Sequence, residues 1–184
     1  GKTRKMKPNV YQAVIRQAHR KGLRVAAHLY YLDDAKELLD AEVDFIAHSI
    51  RDKEVDDALA EALVKQEVCL CPTLTREVST FVYESEPDFF KDPFFLREAD
   101  PGVLELLKDP QRQKKIREDK SAQHYKKALE TASANLKKLA DAGVNIVFGT
   151  DTGPPARFQG YFEHLELELM VNAGLTPMQA IVSA

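Results

Sequence analysis

Three residues fall at matching points of a repeated pattern. His28, His48 and Asp151 each close, or nearly close, a short apolar run: RKGLRVAAH (20–28), DAEVDFIAHS (40–49) and DAGVNIVFGTD (141–151). A further run of the same form, KQEVCLCPT (65–73), ends on a threonine instead. Neutral imidazole nitrogens and carboxylate oxygens are suitable ligands for zinc or a similar divalent ion. Such an ion lowers the pKa of a bound water to about 7, and a carboxylate at its edge can take the proton. A lone histidine at a strand end is usually structural, and GTD is usually a turn. At equivalent points of successive repeats the three residues form a set.

The other polar candidates miss that position. His19 lies near the end of a helical stretch, where a cation is favourable and a structural role suffices. His124 lies in a highly charged helical stretch and is expected to face solvent. His164 follows the Asp151 loop and is a candidate for reaching substrate. Arg76, just past the third run, is a candidate for holding a substrate carboxylate, a task that the guanidinium fork suits.

The elements that must position these residues are legible in outline. Each apolar run has the length of a buried parallel strand and follows an amphipathic helical stretch. The stretch from Pro8 to Lys21 carries Val10, Ala13, Val14 and Ala18 and stops at Gly22. Asp33 or Asp34 is expected to cap a helix through Asp40, and Asp52 one that contains Val55, Leu59 and Leu63. Leu136, Leu139 and Ala140 mark the helix before the last run, which stops near Gly143. Thr176-Pro177-Met178-Gln179 has the form of a capping box with proline at the first helical position. Alternating helices and strands argue an α/β fold. The first three runs recur at a spacing of about 20–25 residues, that of one short helix-plus-strand unit. A closed (β/α)8 barrel needs about 200–250 residues. With 184 residues, four such strands and a long insertion make half a barrel. Ligands at the strand ends would then converge on one mouth.

The insertion runs from Thr73 to about Ser133, or 74–133 within the partial barrel of 1–184. Its first part holds Phe81, Tyr83, Phe89, Phe90, Phe94 and Phe95 among prolines and acids. Two readings stay open: a lid or substrate wall at the mouth, or a helical excursion packed on the barrel or on a partner subunit.

The segments VAAHLYYLDDAKELLDAEVDFIAHS, VCLCPTLTRE, VNIVFGTDTG and HLELELMVNAGLTPMQAIVSA resemble the amidohydrolase superfamily, in particular its imidazolonepropionase-like and Xaa-Pro dipeptidase-like branch. The resemblance covers nearly all of the chain outside the insertion. It implies a TIM-type (β/α)8 barrel in which His28 ends strand five, His48 strand six and Asp151 strand eight, with the insertion after strand seven. It further implies a divalent metal, zinc as one or two ions, held by His28 and His48, with Asp151 binding metal or shuttling the proton. In mononuclear branches the strand-six histidine contacts substrate instead. The implied reaction is hydrolysis of an amide or related C–N bond in a dipeptide or cyclic amide. The strand-one His-x-His pair and the strand-four lysine or glutamate of the family have no counterpart here. Lys2 and Lys5 lie in a loop-like stretch, and neither is assigned that role.

Those missing ligands motivate the alternative, a non-catalytic α/β binding or assembly module derived from a degenerate barrel. The expected partner is a small-molecule substrate. A formal net charge of -3 and no basic stripe interleaved with aromatics give no sign of nucleic-acid binding. Acids interrupt the basic stretch Lys114 to Lys127. No apolar run approaches the ~20 residues of a membrane span. Cys69 and Cys71, two apart in a strand, share a face and are badly placed to bond each other. Four strands without the other half of a barrel leave open edges, so a homo-oligomer or a preceding half-chain is expected.

Overall fold

The computed structural model describes residues 4–184; Lys2 lies outside them. The chain runs α1 (Pro8–His19), β1 (Ala26–His28), α2 (Leu32–Asp40), β2 (Phe45–Ala47), α3 (Asp57–Lys65), β3 (Cys69–Cys71), α4 (Leu74–Val78), α5 (Pro93–Glu98), α6 (Pro101–Lys108), α7 (Pro110–Glu118), α8 (Lys120–Asp141), α9 (Tyr161–Asn172) and α10 (Pro177–Val182). Two short 3-10 turns, Val82–Glu84 and Asp88–Lys91, lie between α4 and α5.

The repeat seen in the sequence has a backbone signature. Each helix that feeds a strand ends on a left-handed residue: Gly22 (φ 68°), Glu42 (φ 62°), Glu67 (φ 55°) and Gly143 (φ 87°). The next N–H reaches back to the helix, from Leu23, Val43, Val68 and Val144 to the carbonyls of Ala18, Leu38, Leu63 and Leu139 at 3.0–3.1 Å. This is the Schellman arrangement, which satisfies carbonyls that a helix end would otherwise leave open. Two units use glycine for it and two use glutamate, for which left-handed backbone is strained.

Helix starts differ in part from expectation. Thr176 and Gln179 do form the capping box of α10. Neither Asp33 nor Asp34 caps α2; both lie in its first turn, and the N-cap is Tyr31, with no side-chain bond. Asp52 does not cap α3 either. It accepts instead from Leu32 N–H (2.8 Å), so it serves the start of α2, and Asp56 caps α3 through Leu59 N–H (2.8 Å). The physical reason is proximity across units: the loop after β2 passes the start of α2, where an orphan N–H needs an acceptor.

The sheet is parallel, in the order β1-β2-β3, with Ala27 beside Ile46 and Ile46 beside Leu70. The fourth run pairs only briefly. Leu70 N–H donates to Asn145 O and Leu70 O accepts from Val147 N–H, both at 2.9 Å, around a single bridge to Ile146. Phe148 N–H then turns to Ser183 O at the end of α10 (2.8 Å), so the ladder stops there.

Alternation along the strands sets two faces. Ile46 and Leu70 are buried beneath helices, in a core with Ile15, Leu39, Leu59, Leu63 and Leu139. The opposite face, with Ala26, Phe45, Ala47 and Cys69, is only partly covered. Cys69 and Cys71 lie on this face, and both thiols are free.

The insertion is a chain of short helices. Asp92, Asp100, Asp109 and Asp119 each cap the next one, three of them followed at once by proline. Of its aromatics, Tyr83, Phe90 and Phe95 are buried in a core of their own with Leu104, Leu107 and Phe162 of α9. The last helix, α8, runs unbroken through residue 133 to the start of the fourth run.

Candidate active site

Three residues at the ends of the apolar runs carry left-handed backbone, His48 (φ 74°) and Thr73 (φ 49°) just past β2 and β3 and Asp151 (φ 57°) after the bridge at Ile146. Such conformations are costly for residues with side chains and persist where surrounding contacts enforce them, often at functional sites. Here they turn the chain sharply as each run ends. His28, the last residue of β1, needs no such turn because strand alternation already points it into the open face.

The two histidines meet. His28 Nδ1 lies 2.7 Å from His48 Nε2, with ring centroids 4.8 Å apart. His48 Nδ1 lies 2.8 Å from Thr73 Oγ1, so the hydroxyl fixes which nitrogen faces His28. Burial, then the Arg51 and Arg76 charges, push the His48 imidazole down to about 4. It is therefore neutral near pH 7, the form that binds metal.

Asp151 stands apart from this pair. Its Oδ2 accepts from Arg157 Nη1 at 2.7 Å, and Arg76 Nε is 3.9 Å away. Arg157 also holds the Asp151 carbonyl (2.8 Å) and Ser79 Oγ (3.1 Å). Oδ1 makes no hydrogen bond among the described residues, and the carboxylate is about a third exposed (37%). Arg76 Nη1 donates to Glu77 Oε1 (2.8 Å) and its guanidinium lies 5.7 Å from the Tyr125 ring. Glu77 also faces Arg51, whose Nε is 2.9 Å from Oε1, both side chains 2% exposed. That N–H does not aim at the oxygen, and Glu77 Oε2 has no partner among the described residues.

The structure brings His28 and His48 together, sets Asp151 in an arginine pair nearby, and puts Arg76 between Asp151 and Glu77. His164 lies elsewhere, exposed on α9 with its ring against Phe94 (5.0 Å). His19 pairs with Asp44 (2.9 Å), a structural role. His124 is exposed as expected, yet its Nε2 meets Tyr30 Oη at 2.6 Å. Phe94 and Phe95 of the insertion line a cavity of about 630 Å³ with Arg157, Phe158 and Tyr161.

Two carboxylates on α9 escaped the sequence reading. Glu163 accepts from Thr150 Oγ1 and Thr152 Oγ1 (both 2.8 Å) and from Gly160 N–H (2.6 Å). Glu166, fully buried, accepts from Leu74 N–H (2.7 Å), Thr75 N–H (2.7 Å) and Thr75 Oγ1 (2.8 Å). Burial pushes the Glu166 carboxyl up to about 7, against the pull of those donors. The available signal was the i, i+3 spacing of the two glutamates, which puts them on one helix face directly after the Asp151 loop.

A divalent ion fits the donor set in part. Two imidazoles from adjacent strand ends hydrogen-bond each other at 2.7 Å, so they would have to part slightly to share an ion, and one of them is held neutral and oriented by a hydroxyl. Among the described residues no group of three or more His, Cys, Asp or Glu is arranged to hold an ion.

No family model and no curated protein matches the chain. Solved structures do. One is a Xaa-Pro dipeptidase with bound methionine in its active site: TM-score 0.66, 21% identity, covering 100% of this chain and 37% of that one. A prolidase complexed with N-methylphosphonate-L-proline gives a TM-score of 0.64 at 20% identity, covering 98% and 36%. Ochratoxinase from A. niger gives 0.65 at 18% identity, covering 98% and 33%. The chain thus spans about a third of the length of these proteins. At this identity the likeness shows the fold alone: the chain has the α/β fold of one part of these proteins, as the resemblance carried by the sequence implies.

Proposed function

We propose that the protein to which this chain belongs hydrolyses an amide or related C–N bond, with a dipeptide as the first substrate class to test. On this reading β1, β2, β3 and the segment at Ile146 correspond to barrel strands five to eight. The observation that carries it is the pair of imidazoles from successive strand ends, 2.7 Å apart. His28 and His48 would hold a divalent ion, zinc as one ion or two, completed by ligands from the rest of a barrel. Such an ion supplies Lewis acidity and an acidified water when bound.

The chain's own residues supply the remainder. Asp151 Oδ1, left without a hydrogen bond while Arg157 anchors Oδ2, can accept a proton and return it to a leaving nitrogen. Thr73 holds His48 in orientation. Arg76, beside Asp151, offers a guanidinium to a substrate carboxylate. The dipeptidase and prolidase among the structural neighbours support a dipeptide, and the methionine bound in one of them suggests methionyl-proline as the probe.

The test uses the full-length protein with added zinc. Asp151→Asn should nearly abolish methionyl-proline hydrolysis while the thermal melt stays in place, because an amide cannot accept the proton. His28→Ala should do the same and also lower the zinc retained after dialysis. Turnover near the wild-type rate in both variants would overturn the reading.

A further inference from the structure

We propose that Glu166 is a positioning residue of this site, acting on His48 through the turn at Thr73. The inference rests on the hydrolytic reading above and names a part of its machinery that touches neither substrate nor metal.

The argument begins with what a fully buried carboxylate needs. A buried charge is costly unless donors surround it. Glu166 has three, all from residues 74 and 75, more than ninety positions earlier in the chain. Two are the first N–H groups of α4, so the carboxylate fixes where that helix begins. The residue just before it is Thr73, whose left-handed backbone (φ 49°) presents its hydroxyl to His48 Nδ1. If α4 started one residue earlier, Thr73 would become helical and the hydroxyl would leave His48.

The same contact reaches the other strand end. Thr75 Oγ1 lies 3.3 Å from Thr150 O as well as 2.8 Å from Glu166, and Thr150 precedes Asp151. One turn earlier on α9, Glu163 holds the Thr150 and Thr152 hydroxyls. One helix face therefore ties the segment that orients His48 to the segment that carries Asp151.

The experiment is a double-mutant cycle in the full-length, zinc-loaded protein, with methionyl-proline as probe. Glu166→Gln leaves one acceptor oxygen and puts an amide donor against the N–H groups. It should lower kcat by about 10–100-fold, the usual cost of losing a partner behind a metal-binding histidine. KM should move less than about threefold, because Glu166 meets no substrate. Thr73→Val should cost a similar amount. If Glu166 acts through Thr73, the double variant loses no more than the worse single one. Losses that multiply would overturn the proposal and leave Glu166 a packing residue.

If Glu166→Gln fails to fold, Thr75→Val replaces it in the cycle, with the same non-additivity expected. His28→Ala and Asp151→Asn run alongside: should both keep turnover, the hydrolytic reading fails by itself. The positioning role is then decided by the ¹⁵N signals of the His48 ring, which must shift in Glu166→Gln. Unchanged signals would sink it.

Discussion

At the scale of single residues, the site is a set of groups held by neighbours that the sequence does not announce. His28 and His48 were legible because they close equivalent runs. Their 2.7 Å approach follows from β1 and β2 being adjacent and parallel. Asp151 was legible in the same way, but not its engagement by Arg157. Arg157 sits in a proline-rich loop with no periodicity to place it. Glu77 was illegible for a different reason. In sequence it is one more acid in TREV, yet it is buried against Arg51 and shared with Arg76. Removing it would leave the Arg51 charge buried without its carboxylate, held only by the Leu29 and Ser49 carbonyls and the Tyr30 ring. Glu77→Ala should therefore destabilise the protein by about 3–5 kcal/mol, the range for breaking a buried pair from one side. Urea denaturation checks this, and a loss below about 1 kcal/mol, typical of exposed pairs, would show that Arg51 finds other partners.

At the scale of elements, the helix-to-strand turns were well predicted where glycine marked them and less visible elsewhere. Gly22 and Gly143 announce the left-handed stop; Glu42 and Glu67 adopt the same conformation with nothing in their chemistry to predict it. The reason is the repeat: the following valine is buried in each case, and its burial draws the turn closed. Left-handed backbone costs a residue with a side chain roughly 1–2 kcal/mol. Glu67→Gly should recover part of that, raising stability by up to about 1 kcal/mol after the added freedom of the unfolded chain is subtracted. The melting temperature of the full-length variant gives the answer, and a fall in it would mean that the glutamate side chain contributes more than its strain costs. The repeated Asp-Pro of the insertion was equally available as a signal of helix starts. Its aromatics leave a substrate wall and a packed excursion both open, and three of them fill a core with α9.

At the scale of the whole molecule, β1 offers an edge without a partner strand among the described residues, and beside it a groove of about 410 Å³ lined by Met6, Tyr11, Val14, Val25 and Ala27. Met6, Val10, Val14 and Leu23 are exposed nearby, between 44% and 60%. Open edges with apolar surface beside them favour association. The 184 residues prepared as an isolated segment should therefore self-associate, with light scattering at low micromolar concentration reporting a mass above the 20.7 kDa of one chain. A monodisperse monomer with a cooperative melt would show that the edge is tolerated in water.

The long helix α8 joins two fixed points. Its inner part is pinned at Asn135, a buried amide that bonds Val55 N–H, Ile50 O and Lys53 O. Its outer part carries His124 to Tyr30, two residues beyond His28. Eleven residues of helix separate pivot from tip, an arm of about 16 Å at 1.5 Å per residue. A tilt of about 5° at Asn135 would sweep the tip through roughly 1.5 Å, enough to part the Tyr30 bond. The Tyr30 bond thus couples the outer part of α8 to the loop that follows His28.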